Sequence, residues 1–251
     1  MFAEERRNKI LQRIQSGEPL KVGAISAWLN ISEATVRRDL QELRAMGLIH
    51  RTHGGAVAPQ FPLELSFQDR EVQHLAEKEA IAAAAAQLVE DGETILLDAG
   101  TTTREIARRL RGRAITVATN SMDVASIFSD DSAVQVLLLG GIWRKSINSL
   151  VGPLTNSLLK QMRFDKCFLA ANAIDSVHGV ATHNLQEAET KQAMLAASRS
   201  VILAADHSKF GREDFARICG LAELSLLLTD SGVSPEILAE LETCLEVQLA
   251  S

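Results

Sequence analysis

Residues Ser32 to Ala56 read SEATVRRDLQELRAMGLIHRTHGGA, and their spacing decides how the first quarter of the chain folds. Ser32 predicts a helix N-cap, the helix runs to about Met46, and Gly47 ends it. LIHRT and AVA, on either side of Gly54 and Gly55, predict two short strands around a turn. Winding the helix at about 100° per residue from Val36 puts Leu40 near 40° and Leu43 near −20°, so these three form the buried face. Arg38 falls near 200°, beside Ala34, Gln41 and Ala45, whereas Arg37 and Arg44 fall together near 90°, at the border of that face. The two adjacent arginines therefore do different work.

Two further short helices precede this one. EERRNKILQRIQ places Ile10, Leu11 and Ile14 on one face before Gly17 and Pro19, and VGAISAWL ends at Asn30. Three small helices and a hairpin describe a winged helix-turn-helix, whose second motif helix reads base edges with its outward side chains. Ser32 sits at the start of that helix. Ala34 and Thr35 suit thymine methyls or phosphate, Arg38 a guanine edge and Gln41 adenine. Arg37 and Arg44 suit backbone phosphates, and Arg51, His50 and His53 on the hairpin suit a wing whose glycines allow close approach. A mixed-charge surface helix, with Asp39 and Glu42 pairing neighbouring arginines, is the plainer reading of RRDLQELR by itself. The order of helix, turn, capped helix and basic hairpin favours double-stranded DNA.

Charge divides the same way. Residues 1 to 60 carry nine Lys and Arg against six Asp and Glu, while the remainder carries 17 against 26, within a net of −6 for the 251 residues. A basic head on an acidic body suits a head that meets a polyanion. The charged start MFAEERRNKI lacks the apolar core of a secretion signal and no run is long enough to span a membrane, which predicts a cytoplasmic protein without a membrane partner. Cys167, Cys219 and Cys244 lie far apart among apolar neighbours and predict reduced core thiols. No cofactor is expected.

After a linker at residues 59–74, beginning with Pro59 and Pro62, the texture from Leu75 changes to apolar runs alternating with helical stretches. TILL, ITVAT, VQVLLL, KCFLAA, SVILAA and LSLLL predict strands of an α/β domain with a mostly parallel sheet covered on both faces. Asp98, Gly100, Asn120, Gly140, Gly141, Asp206 and Asp230 recur where these strands end, the edge at which such sheets bind ligands. In LLDAGTTTREIARRL a strand runs through Asp98 and Gly100 into a helix, so the N–H groups and hydroxyls of Thr101, Thr102 and Thr103 make an anion seat. The threonines could equally serve only as helix caps. Arg144, Lys191 and Lys209 are cations that could complete a phosphate or polyol site, although Glu187 and Lys191 could simply be a helical i, i+4 pair.

Arg6-x3-Ile10, SEATVRRDLQEL and HRTHGGA together resemble the winged helix-turn-helix of the DeoR family of bacterial sugar-metabolism regulators. The resemblance continues in order through D-x-G-T-T, T-N-S, G-G-x-x-R, V-G-P, I-D, E-x3-K and D-x-S-K-F-G. It implies a C-terminal sensor domain resembling sugar-phosphate isomerases, which binds a phosphorylated sugar that weakens DNA binding. The implied effector contacts are Asp98, Gly100, Thr101, Thr102, Thr103, Asn120, Gly141, Arg144, Lys191 and Lys209. This chain has AANAID at Ala170 to Asp175, where many members have Gly-x-x-Gly-Ile-Asp, and the added methyl groups restrict backbone approach.

The expected organisation is a DNA-binding domain over residues 1–58, a linker over 59–74 and an effector-sensing domain over 75–251. The expected function is repression of a carbohydrate-catabolism operon by a homo-oligomer, a dimer or tetramer reading paired half-sites. An isomerase with Asp98, Glu187 or Asp206 as base and Lys191 as electrostatic partner is the enzymatic alternative. Metal sensing through the six histidines is a third, and no histidine spacing in the sequence suggests a metal site.

Overall fold

The computed structural model describes residues 3–15, 20–45, 49–52, 55–57 and 67–250. The chain divides into two compact units, Met1–Leu65 and Ser66–Ser251.

The first unit contains α1 (Ala3–Gln15), β1 (Leu20–Lys21), α2 (Val22–Leu29), α3 (Glu33–Ala45), β2 (His50–Thr52) and β3 (Gly55–Val57). Asn30, in the left-handed conformation at φ 52°, turns the chain out of α2, and its N–H closes on the Ser26 carbonyl. Ser32 Oγ then accepts the Thr35 N–H at 3.2 Å, the capping bond expected of a serine there. Val36, Leu40 and Leu43 are fully buried with Ile10, Ile14, Ile25 and Ile49, so the apolar face deduced from the period is the one that packs. The wing has one strand more than expected: β1 pairs antiparallel with β3, giving the order β1-β3-β2. Gly55 is a residue of β3 paired with Thr52, while Gly54 and His53 lie outside the described residues.

The second unit opens with α4 (Phe67–Val72) and α5 (Leu75–Gln87), so part of the stretch expected to be linker is helical. It continues through β4 (Thr94–Leu97), α6 (Thr101–Arg109), β5 (Thr116–Thr119), α7 (Met122–Ile127) and β6 (Gln135–Leu138). A hairpin of β7 (Ile142–Arg144) and β8 (Ser149–Val151) leads to α8 (Pro153–Leu159) and β9 (Phe164–Leu169). Then come β10 (Ala173–Asp175), β11 (Gly179–Thr182), α9 (Leu185–Ala196), β12 (Ser198–Ala204), β13 (Ala216–Cys219), β14 (Leu226–Asp230), α10 (Pro235–Glu242) and β15 (Val247–Ala250).

Seven strands form a parallel sheet in the order β15-β14-β12-β9-β4-β5-β6. Because successive strand side chains point to opposite faces, Leu96, Leu169 and Leu203 enter one core while Ile95, Leu97, Phe168 and Ile202 enter the other. That two-sided burial is why these strands read as unbroken apolar runs. A small antiparallel sheet, β10-β11-β13, sits apart from the main one. Cys167 and Cys219 are buried as expected and burial pushes both thiols up, whereas Cys244 is exposed, a correction that follows from its place just after α10 rather than in a strand. Among the described residues no helix is long and apolar enough to cross a membrane.

Candidate functional site

In the first unit, the outward face of α3 carries Ala34, Arg37, Arg38 and Gln41, all exposed, with Thr35 half-buried. Arg38 and Gln41 have no side-chain partner among the described residues, which leaves both for an incoming group. Arg37 is tied to Glu33 at 3.1 Å across one turn, an exposed pair worth only about 0.3 to 0.5 kcal/mol and readily exchanged for a phosphate. Asp39 and Glu42, which could have pooled their charge with the arginines of α3, turn instead to α1. Asp39 is buried and accepts two bonds from the Arg6 guanidinium, at 2.6 and 2.9 Å, while Glu42 pairs with Arg7. This explains the Arg6 of the N-terminal motif as a brace between helices and keeps Asp39 and Glu42 from pairing with Arg38. Ala34, Thr35 and Arg38 line an open groove beside Arg6 and Arg7. Ser32 and Thr35 share their hydroxyls at 2.9 Å, so both shape the helix start. Arg51 lies in β2, His53 is not among the described residues, and the side chains of Arg44 and Arg51 are likewise outside them.

In the second unit a cavity of about 40 Å³ opens at the carboxyl edge of the sheet. Three positive or anion-binding elements converge on it: the start of α6 with Gly100, Thr101 and Thr102, then Lys209 beyond β12, and Arg70 from α4. The first N–H groups of α6 have no carbonyl within their own helix to bond, so they present partial positive charge to the cavity. Burial depresses the Lys209 ammonium, opposed by the neighbouring Asp206 carboxylate. Arg70 was not legible as a site residue because it falls in the stretch read as linker. Lys78, buried on α5, holds it in place by donating to the carbonyls of Arg70 and Gln73, and Glu71 pairs with Arg104 of α6.

Beside the α6 start lies a buried triad, of which Glu187 and Lys191 line the cavity. Lys191 is ion-paired with Asp98, lies 3.5 Å from Glu187 and donates to the Ala170 carbonyl at 2.9 Å. Burial opposes its charge, but the carboxylates of Asp98 and Glu187 outweigh that and hold its pKa above the usual ammonium value. Asp98 has both oxygens engaged: Oδ1 accepts the Ala99 N–H at 2.8 Å, and Oδ2 accepts the Ala170 N–H at 3.0 Å besides Lys191. Glu187 is not. Its Oε2 is buried and has no hydrogen-bond partner, on a residue that lines the cavity. A buried acceptor of this kind costs about 1 to 3 kcal/mol until something donates to it.

Gly100 is required by packing rather than by its backbone conformation. Its φ of 174° is open to any residue, but a Cβ there would stand 2.8 Å from the Ala170 methyl. Ala170, Ala171 and Asn172, from the AANAID segment, line the cavity beside it. Thr103, Asn120, Gly141 and Arg144 do not line it. Thr103 is fully buried and donates to the Gly100 carbonyl at 3.0 Å, so its hydroxyl is engaged within the first turn of α6. Asn120 donates to the Leu150 carbonyl at 3.1 Å, tying β5 to the β7–β8 hairpin. Gly141 and Arg144 belong to that hairpin, whose tip sends Ile147 into the cavity.

Residues 6–60 match the model of the DeoR-like helix-turn-helix domain, and residues 73–231 match that of the DeoR C terminal sensor domain. The chain belongs to the DeoR family. It is 37% identical over 245 residues to the HTH-type transcriptional regulator GlpR of Haloferax volcanii, covering 97% of this chain and 96% of that protein. It is 37% identical over 233 residues to the lactose phosphotransferase system repressor of Staphylococcus epidermidis, covering 90% and 92%. Among solved structures, ribose 5-phosphate isomerase A of Methanocaldococcus jannaschii covers 53% of each chain at 16% identity and a TM-score of 0.39, a likeness too distant to bear on function. Family membership makes this DeoR-type chain a helix-turn-helix transcriptional regulator with a sensor domain behind the DNA-binding head.

Proposed function

We propose that this regulator represses a carbohydrate-catabolism operon and is released from its operator when a phosphorylated sugar occupies the cavity of the sensor domain. The observation that carries the reading is the make-up of the cavity lining. The α6 N-terminus, Arg70 and Lys209 offer donors and positive charge for a phosphate. The unpartnered Oε2 of Glu187 offers an acceptor to a hydroxyl group of a polyol, beside the Lys191 ammonium. Thr101 and Thr102 contribute N–H and hydroxyl groups to the phosphate. Asp98 positions Lys191, and Thr103, Asn120, Gly141 and Arg144 act through the first turn of α6 and the hairpin rather than by touching the ligand.

At about 40 Å³ the cavity holds only a few waters, so a sugar phosphate enters only after its lining moves. Arg70 belongs to the first helix after the head, and its displacement is the event we assign to release. The effector thereby binds one arrangement more tightly than the other, the condition for a shift in operator affinity. On the head, Arg38 and Gln41 read base edges with Ala34 and Thr35, while Ser32, Arg37, Arg44, Arg51 and His53 engage the backbone. We assign a homo-oligomer reading paired half-sites, because one small head covers little DNA.

An isomerase reading would need a free carboxylate base, and Asp98 has both oxygens bonded. Glu187 is the cavity carboxylate with an open oxygen, but the relatives are transcriptional regulators, which favours a sensing role. Calorimetric titration with a panel of sugar phosphates and the corresponding free sugars tests the sensor assignment. At least one phosphorylated member should bind, with the free sugar undetectable and Lys209→Ala and Glu187→Gln each weakening binding at least about tenfold, the worth of one charge-assisted bond. Equal binding of free and phosphorylated sugars would overturn it.

A further inference from the structure

Outside the cavity, three potential metal ligands meet on the same edge of the sensor domain. His74 caps α5 in the left-handed conformation at φ 53°, Glu77 follows one turn later, and His207 begins the turn after β12. One ligating atom from each lies within 4.8 Å of the other two, and His74 Nδ1 stands 3.9 Å from Glu77 Oε1. The imidazole rings meet edge to face with centroids 4.7 Å apart. Ligands held at about 2.0 to 2.2 Å from one ion are separated by roughly 3 to 4 Å, so closure requires less than about 1 Å of side-chain movement.

Asp230 gives this cluster the support that metal-binding histidines usually have. Its two carboxylate oxygens take the His207 backbone N–H and ring Nδ1, each at 2.7 Å, which fixes the ring and leaves Nε2 as the available nitrogen. Gly232 makes room for that grip, since a Cβ there would fall 2.5 Å from His207 Nδ1 and 2.7 Å from Asp230 Oδ2. Two imidazoles with one carboxylate favour zinc, cobalt or nickel over magnesium or calcium.

We propose that His74, Glu77 and His207 bind one divalent transition-metal ion of the zinc class, with water completing its coordination and Asp230 orienting His207. The ion fastens the start of α5 to the carboxyl edge of the sheet, two residues before Lys209 in the chain. A second cluster, Asp175, His178 and Glu213, is more exposed, and the carboxylate that holds the His178 amide and ring, Asp175, is itself one of the three would-be ligands, so no separate group supports it and it serves as the control.

The test is titration of the chelator-treated full chain with CoCl2, followed by visible d–d absorption, and with ZnCl2 by calorimetry. One ion per chain is expected. His207→Gln and His74→Asn should each weaken uptake at least about tenfold, and Asp230→Asn about 10- to 100-fold. Asparagine at position 74 tolerates the left-handed backbone, and Glu77→Gln preserves shape while removing the anionic ligand, so loss of binding need not come from misfolding. His178→Ala should leave uptake unchanged. Failure of the wild-type chain to take up about one ion, uptake unaltered in the His74→Asn/His207→Gln double variant, or loss through His178→Ala would each overturn the proposal.

Discussion

Arg37 and Arg38 are neighbours in sequence and both exposed, yet their surroundings differ. Arg37 is engaged by Glu33 one turn earlier, and Arg38 has no partner among the described residues. Arg38→Ala should therefore lose about 1 to 3 kcal/mol of operator affinity relative to nonspecific DNA, the worth of a bidentate contact with guanine. Arg37→Ala should weaken binding to all sequences alike and reduce the slope of log affinity against log salt by about one. Fluorescence anisotropy at several salt concentrations separates the two, and identical behaviour of the variants would refute the division. At this scale the helical period was sufficient: it separated the buried Val36, Leu40 and Leu43 from the outward-facing side chains of α3. It could not assign partners, so the diversion of Asp39 and Glu42 to α1 emerged only in three dimensions. Nor could spacing reveal that Glu187 would keep one unpartnered oxygen, or that His74 and His207, far apart in the chain, would meet.

Among the elements, α3 is the one whose stability and function are most closely joined. Its attachment to α1 rests on shared apolar burial and on the Arg6–Asp39 pair, where Asp39 is almost fully buried. Asp39→Ala strands the Arg6 guanidinium, which is only partly exposed, and should cost the head about 1 to 3 kcal/mol. For a unit of this size that lowers the midpoint of its own thermal transition by roughly 5 to 15 °C, with the sensor transition unmoved. A shift of the head below about 2 °C would show that the brace contributes nothing. The elements legible in advance were those with a strong period or a continuous apolar run, such as α3, α9, β4 and β12. Those missed are short: β1 has two residues, β7, β8 and β10 three each, β11, β13 and β15 four each, and α4 only six. The omission of α4 concealed Arg70, because a side chain in an assumed linker is not sought in a binding site.

For the whole molecule, the account joins a head that reads DNA to a sensor whose cavity is smaller than its proposed ligand. Linkage requires that a sugar phosphate which lowers operator affinity be itself bound less tightly in the presence of operator, by the same factor. A coupling of about 1 to 3 kcal/mol corresponds to roughly 5- to 150-fold in either direction. The double role of the chain was visible in its charge, since the net positive head and net negative body fall on either side of the break between the two units. Which residues line the cavity was only half visible: Asp98, Lys191 and the α6 start are there or adjacent, whereas Asn120, Gly141 and Arg144 shape the surrounding hairpin. The most direct measurement is the affinity of the full chain for its operator, with each sugar phosphate added in turn. The account predicts that one of them weakens binding by 5- to 150-fold, within the usual range of such couplings, and that Lys209→Ala abolishes the response while leaving ligand-free operator affinity intact. Operator affinity indifferent to every sugar phosphate would contradict it.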